Sequence, residues 1–246
     1  MPLAAIGFDA DDTLWQNEQF YRLTERRFAD IVMAHAETDA AGLSARLLEA
    51  EKRNLGLYGF GIKGFILSMI ETAIEATDGR APSSAIREIM EIGREMLGHP
   101  IEPLPHAQAA LAALAGRYRL VLITKGDLFD QERKLAQSGL GEFFDAVEIV
   151  SDKAADTYVR IFNRVGGGPE RGMMVGNSLK SDVVAALKAG SRGVHVPHEL
   201  TWAVEHAQTP AAEPRFRQID HLGMRQDLIA SIEDAPPRPR RDFQSG

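Results

Sequence analysis

Three aspartates follow an apolar run at the start of the chain, in Phe8-Asp9-Ala10-Asp11-Asp12-Thr13-Leu14. Carboxylates this close repel one another and need a cation or a shared proton to coexist. A magnesium ion and a phosphoryl group would resolve the crowding together. In that chemistry Asp9 is the nucleophile, Asp11 the acid/base, and Thr13 braces the turn through its hydroxyl. Asp11 would then need a raised pKa, which partial desolvation under a closed cover can supply. An acidic turn without chemistry reads the same way locally. The test is whether partner residues recur, in order, at the ends of other strands.

They do. Arg119-Leu-Val-Leu-Ile-Thr124 ends in a hydroxyl and runs into Lys125-Gly126-Asp127. Thr124, Lys125 and Gly126 are candidates to hold phosphate, through the hydroxyl and the N–H groups of the turn. The Lys125 side chain itself is expected to point to solvent. Lys153 follows Ala146-Val-Glu-Ile-Val-Ser151 and offers a point charge for the nucleophile and the phosphoryl group. Val175-Gly-Asn-Ser-Leu-Lys-Ser-Asp182 closes the set. Asp182 is placed in the first turn of a helix, facing the site. Phosphoryl transfer needs an aligned nucleophile, a proton donor and positive charge on the equatorial oxygens, and little else.

The elements that must position these groups are five apolar segments, at residues 3–8, 119–124, 146–151, 172–177 and 193–197. Helical stretches separate the last four, one of them at about 106–115. Alternating strand and helix implies a doubly wound parallel sheet, an α/β fold. Between the first two strands, helical periodicity alone recurs. Tyr21, Phe28, Ile31 and Val32 share one face. Ile66, Met69, Ile70 and Ala73 share another, and Ile86, Ile89, Met90, Gly93 and Leu97 a third. Residues 39–54 form a further helix. An all-α cap at 15–99 is thus inserted into a Rossmann-like core of residues 1–14 and 100–234, with hinges near 14–17 and 98–104. Residues 55–64, Leu-Gly-Leu-Tyr-Gly-Phe-Gly-Ile-Lys-Gly, read as a glycine-rich connection whose Tyr58, Phe60 and Lys63 are candidates to face a substrate. Trp15 and Arg53 are further candidates. Residues 235–246 form a Pro/Arg-rich tail.

The ordered motifs resemble those of the haloacid dehalogenase-like (HAD) superfamily: Asp9-x-Asp11-x-Thr13, Thr124, Lys153 and Gly176-Asn177-x-x-x-x-Asp182. The resemblance implies a phosphohydrolase working through an aspartyl-phosphate, with Mg²⁺ held by Asp9, the backbone carbonyl of Asp11, and Asp182. The insertion resembles the family's helical type 1 cap. Two positions depart from the pattern: Ala154 stands where a Pro commonly follows the Lys, and Asn177 where Asp is usual. Asn177 offers an oxygen without a charge and is expected to act through a metal-bound water or by orienting its neighbours.

Composition narrows the alternatives. The chain has 246 residues, a net charge of −7 and no cysteine. Thiolate nucleophiles and Cys-ligated zinc are excluded, and the acidic balance argues against nucleic acid and anionic membrane. No leader is recognisable and no apolar run nears the ~20 residues that span a bilayer, so a cytoplasmic address is expected. The expected partner is a small phosphorylated metabolite, and a monomer or a homodimer fits equally. His195, His198, Glu199, Trp202, Glu205 and His206 are read as a structural rim. Two other functions stay open: a 2-haloacid dehalogenase, for which Asp11, Thr13 and Asp182 would be superfluous, and a non-catalytic binding or regulatory protein.

Overall fold

The computed structural model describes residues 1–224, so the Pro/Arg-rich tail at 235–246 lies outside the described residues. Six strands form one parallel sheet in the order β3-β2-β1-β4-β5-β6: β1 Ala5–Phe8, β2 Arg119–Lys125, β3 Ala146–Val150, β4 Gly172–Gly176, β5 Arg192–His195 and β6 Phe216–Gln218. Five were expected. The sixth is a three-residue edge strand, paired with β5 through Gly193, Val194 and His195. It is too short to show a period.

Both faces of the sheet are covered, so alternate residues go to two separate cores. Ile6, Phe8, Leu120, Leu122, Met173 and Val175 join one, with helix α5 (Ala107–Leu114) packed on them. Ala5, Val121, Ile123 and Met174 join the other, against helix α7 (Ala155–Gly166) and the short α8 (Ala185–Ala189). Helix α6 (Leu128–Ser138) connects β2 to β3. The strand order reverses between β1 and β4. That switch point opens a crevice beyond the carboxyl ends of the strands, where ligands bind in open α/β sheets.

Four helices stand between β1 and α5: α1 Glu18–Met33, α2 Ala40–Tyr58, α3 Ile62–Ala76 and α4 Ser83–Gly98. They have their own apolar core, built on Phe28, Val32, Leu43, Leu47, Met69 and Ile89. The expected helical faces meet there, except Met90, which is exposed. Gly93 lets α4 approach α3, since a Cβ would collide with the Ile66 side chain. Helix α2 runs four residues past the expected end, so only Gly59, Phe60 and Gly61 remain as a loop. Gly59 and Gly61 have φ of +72° and +115°, which glycine adopts without strain. The two chain crossings between helices and sheet run side by side: Gln16 N–H donates to Glu102 O at 3.1 Å, and Leu104 N–H to Leu14 O at 2.8 Å.

Candidate active site

Asp9 is the first residue past β1, and its N–H donates to Val175 O on β4 at 2.9 Å. Its side chain is buried. The Lys153 ammonium donates to Asp9 Oδ1, and the Thr13 hydroxyl stands 3.0 Å from Oδ2. The same ammonium donates to Asp182 Oδ1 at 2.7 Å. Two buried carboxylates thus share one cation. Burial first, then the charge of Asp182, pushes Asp9 up to about 7 against the pull of Lys153. For Lys153, burial opposes the charge, but Asp182 and Asp9 outweigh it and hold the ammonium above its ordinary value.

Local backbone sets this geometry. Gly176 has room for hydrogen only, since a Cβ there would collide with the Asp182 carboxyl. After it the chain makes a π-helical turn, Leu179–Val184, which carries Asp182 in its first turn as expected of the following helix. Wide turns of this kind recur at functional sites. Ser178 N–H donates to Asp182 Oδ2 at 2.9 Å and fixes the carboxylate. Asn177 packs on Thr13: its N–H donates to the hydroxyl at 3.1 Å, and its Oδ1 lies 3.3 Å away. Asn177 thus touches the residue whose hydroxyl bonds Asp9. His195 ties this loop to β6, with Nε2 3.1 Å from Asn177 O and Nδ1 3.1 Å from Gln218 Oε1.

Asp11 is drawn elsewhere. Its carboxylate accepts from Trp15 Nε1 at 2.8 Å, Gln131 Nε2 at 2.9 Å and Lys134 Nζ at 3.0 Å. The raised pKa expected from desolvation is not found. Burial does push upward, but the Lys134 charge and these donors win and hold Asp11 below its ordinary value. Lys134 and Gln131 lie on α6 and are buried, whereas Leu128 and Phe129 of the same helix are 58% and 74% exposed. That inversion of the usual pattern hid both polar residues from the sequence reading. Trp15, a candidate to face a substrate, is fully buried and serves Asp11 instead. Asp12, the third aspartate, adopts a φ of +61° and accepts the N–H groups of Asn17 and Glu18, capping α1.

A cavity of about 220 Å³ lies between this floor and the helical layer, and Asp9, Asp11, Thr124, Lys125, Lys153 and Asp182 all line it. Gly126, the third candidate to hold phosphate, is not among the residues that line it; it has a φ of +142°, and a Cβ there would strike Gln131. Lys125 does not point to solvent. Its ammonium pairs with Glu205 at 2.6 Å, reaches Ser181 Oγ at 2.9 Å and sits 4.0 Å from the Phe60 ring centre. Burial opposes ionisation of Glu205, yet Lys125 and the Ser178 hydroxyl pull it down to about 2. Of the rim residues, Glu205 and Trp202 therefore belong to the cavity wall. Of the residues proposed to face a substrate from the glycine-rich segment, Phe60 does so. Tyr58 is exposed, Lys63 pairs with Asp127 at 3.0 Å, and Arg53 pairs with Glu71 at 2.7 Å on the surface.

The roof is acidic. Glu18 and Glu25 of α1 and Glu51 of α2 line it with Arg22. Burial first, then Glu25 and Glu18, pushes Glu51 up to about 7. Glu18 is also raised to about 7, by burial above all and against the pull of Arg22. The folded state therefore keeps protons that the unfolded chain has released, and stability falls as pH rises from about 4.5 through about 7. Glu51→Gln will flatten that slope and raise the denaturation midpoint at about pH 8. Urea titrations at several pH values measure it, and an unchanged slope contradicts the assignment.

Comparison with known proteins follows the same lines. The family model described as haloacid dehalogenase-like hydrolase matches residues 3–190. A crystal structure of a haloacid dehalogenase-like family hydrolase from Xanthomonas campestris is 41% identical, with a TM-score of 0.83, covering 94% of this chain and 91% of that one. The glyceraldehyde 3-phosphate phosphatase of Methanothermobacter thermautotrophicus is 26% identical over 212 residues, 82% of this chain and 88% of its own. The pyrimidine 5'-nucleotidase of Escherichia coli is 28% identical over 197 residues, 75% of this chain and 82% of its own.

Proposed function

The chain belongs to the haloacid dehalogenase-like hydrolases, and from that premise we propose that it is a Mg²⁺-dependent phosphohydrolase of small phosphate monoesters. The observation that carries the proposal is the Lys153 ammonium shared by Asp9 and Asp182 at the floor of the cavity. Two relatives that match over most of their length are named as a glyceraldehyde 3-phosphate phosphatase and a pyrimidine 5'-nucleotidase.

The donor set fits magnesium. It offers oxygen only, and the crowding that raises Asp9 is what a divalent cation would relieve. Among the described residues no three His, Asp or Glu side chains are grouped so as to hold a metal ion by themselves. That suits a metal held by one or two carboxylates and completed by substrate phosphate and waters. Asp9, Asp182 and the main-chain carbonyl of Asp11 would hold it. When bound, it supplies positive charge to the phosphoryl oxygens.

The rest is the work of this chain's residues. Asp9 attacks phosphorus and becomes an acyl phosphate while the ester oxygen leaves. Lys153 keeps Asp9 ionised and aligned, and Thr124 with the following turn steadies the transferred group. Asp11 handles the protons. It rests as the carboxylate, with the Lys134 ammonium in contact, so the proton given to the leaving oxygen passes through that pair. In the second half Asp11 takes a proton from the attacking water and returns it to Lys134.

Phosphate release from a panel of small phosphate monoesters, with and without Mg²⁺, tests the reading, with halide release from 2-haloacids as the parallel arm. Metal-dependent phosphate release is expected. Halide release in the absence of metal would instead establish a dehalogenase, and neither product would point to a binding protein.

A further inference from the structure

The loop between α2 and α3 is seated on the sheet at one turn. Phe60 at its tip lines the cavity, with the Lys125 ammonium 4.0 Å from its ring centre and the Trp202 indole edge to face at 6.2 Å. The flanking Gly61 comes so close to the turn after Thr124 that a Cβ would lie 3.3 Å from the Asp127 nitrogen. Lys63 pairs with the Asp127 carboxylate at 3.0 Å on the outer side. The helical cap therefore rests on the turn proposed to steady the transferred group, and the aromatic ring is its inner contact.

From that seat, direct contacts run down to the floor. Lys125 donates to Glu205 at 2.6 Å and to Ser181 Oγ at 2.9 Å, and its third N–H is left for the face of Phe60. Its side chain is 12% exposed, so the pair with Glu205 is largely shielded from water. Glu205 also accepts from the Ser178 hydroxyl, and Ser178 N–H holds the Asp182 carboxylate. Trp202 and Glu205 stand at the two ends of one 3₁₀ turn, Ala203–Glu205 with Trp202 as its cap residue. Lys180 pins that turn by donating to Val204 O at 2.9 Å. At its first end the turn grips the cap, because Trp202 meets Phe60 and also hydrogen-bonds Glu51 of α2. At its last end it grips the floor through Lys125 and Ser178.

We propose that Lys125 and Glu205 are positioning residues that make the alignment of Asp182 depend on docking of the helical cap through Phe60. With the ring seated, the ammonium is shielded on that side and held against Glu205 and Ser181, and the loop carrying Ser178 and Asp182 is held with it. Withdrawal of the ring admits water to the ion pair, weakens it and loosens that loop. The site is then assembled only when the cap is down. The proposal rests on the phosphohydrolase reading for its kinetic consequence and adds to it two residues that take no part in the bond-making steps.

The test has two arms. In the first, kcat and KM are measured separately with para-nitrophenyl phosphate as the probe. Phe60→Leu leaves the ion pair in place and removes only the ring, so it folds whatever Lys125 does. It is expected to lower kcat by about tenfold or more, beyond any rise in KM, because small misplacements of reacting groups are costly. Phe60→Tyr keeps the ring and restores kcat. Lys125→Met shows the same loss, and Phe60→Leu/Lys125→Met is no slower than Lys125→Met alone. A rise in KM with kcat unchanged in Phe60→Leu makes the ring a mere wall and overturns the proposal. Losses that multiply in the double variant do the same, and both leave the phosphohydrolase reading standing. The second arm needs no substrate. The chain has two tryptophans, and Trp15 is fully buried, so acrylamide quenching of fluorescence reads Trp202. Quenching is expected to increase in Lys125→Met as the cap lifts, and an unchanged constant overturns the proposal whatever the activity. If no phosphate ester is turned over, the phosphohydrolase reading falls, and this arm still decides whether Lys125 holds the cap.

Discussion

Asp9→Asn will lower kcat for phosphate release by at least about 10⁴-fold, equivalent to about 5.5 kcal/mol of transition-state stabilisation. The amide has the shape of the carboxylate but a far weaker nucleophile, and no other carboxylate can take its place. Asp11 is held by Lys134, Gln131 and Trp15, and Asp182 is fixed by Ser178 and Lys153. The variant will fold, since the amide oxygen can still accept from Lys153 and removing one of two crowded negative charges relieves repulsion. Steady-state kinetics with far-UV circular dichroism separates the two effects. A variant retaining a tenth of the activity would remove Asp9 from the chemistry.

Lys153→Met will cost about 3–5 kcal/mol of stability as well as the activity, because it strands two buried carboxylates around an apolar side chain. The sign with pH follows from the acids left behind. Their protonation at low pH removes the unpaired charge, so the loss is greatest at neutral and alkaline pH and shrinks as pH falls. Adding Asp182→Asn to Lys153→Met will recover part of the loss, which identifies the shared ammonium as the source. Urea denaturation without added metal measures all three proteins. Equal stability of Lys153→Met and the wild type would mean that the ion triad is not formed in solution.

Much of the site was legible because its residues sit where an apolar run ends. Asp9, Thr124, Lys153 and Asp182 each follow a strand that reads as buried, and position along the chain was enough to bring them together. What was not legible depends on burial of polar groups. Glu18 and Glu51 look like ordinary solvated helix charges, and only the packing of α1 and α2 over the sheet turns them inward. Lys134 and Gln131 sit on a helix whose first two apolar residues, Leu128 and Phe129, face out. Lys125 was misread because its partner, Glu205, is far along the chain, in a loop with no period to read. Asn177 was expected to act through a metal-bound water or by orienting its neighbours, and its contacts are with Thr13, which bonds Asp9. Strand β6 escaped because three residues cannot display an alternation.

The central claim is that Asp9 carries the phosphoryl group during turnover. Rapid acid quenching of the enzyme with a phosphate monoester that it turns over, labelled in its phosphoryl group, followed by peptide mapping, tests it most directly. The account predicts transient label on the peptide containing Asp9, absent in Asp9→Asn and decaying at the rate at which phosphate appears. Phosphate release with no label on that peptide at any time would contradict it.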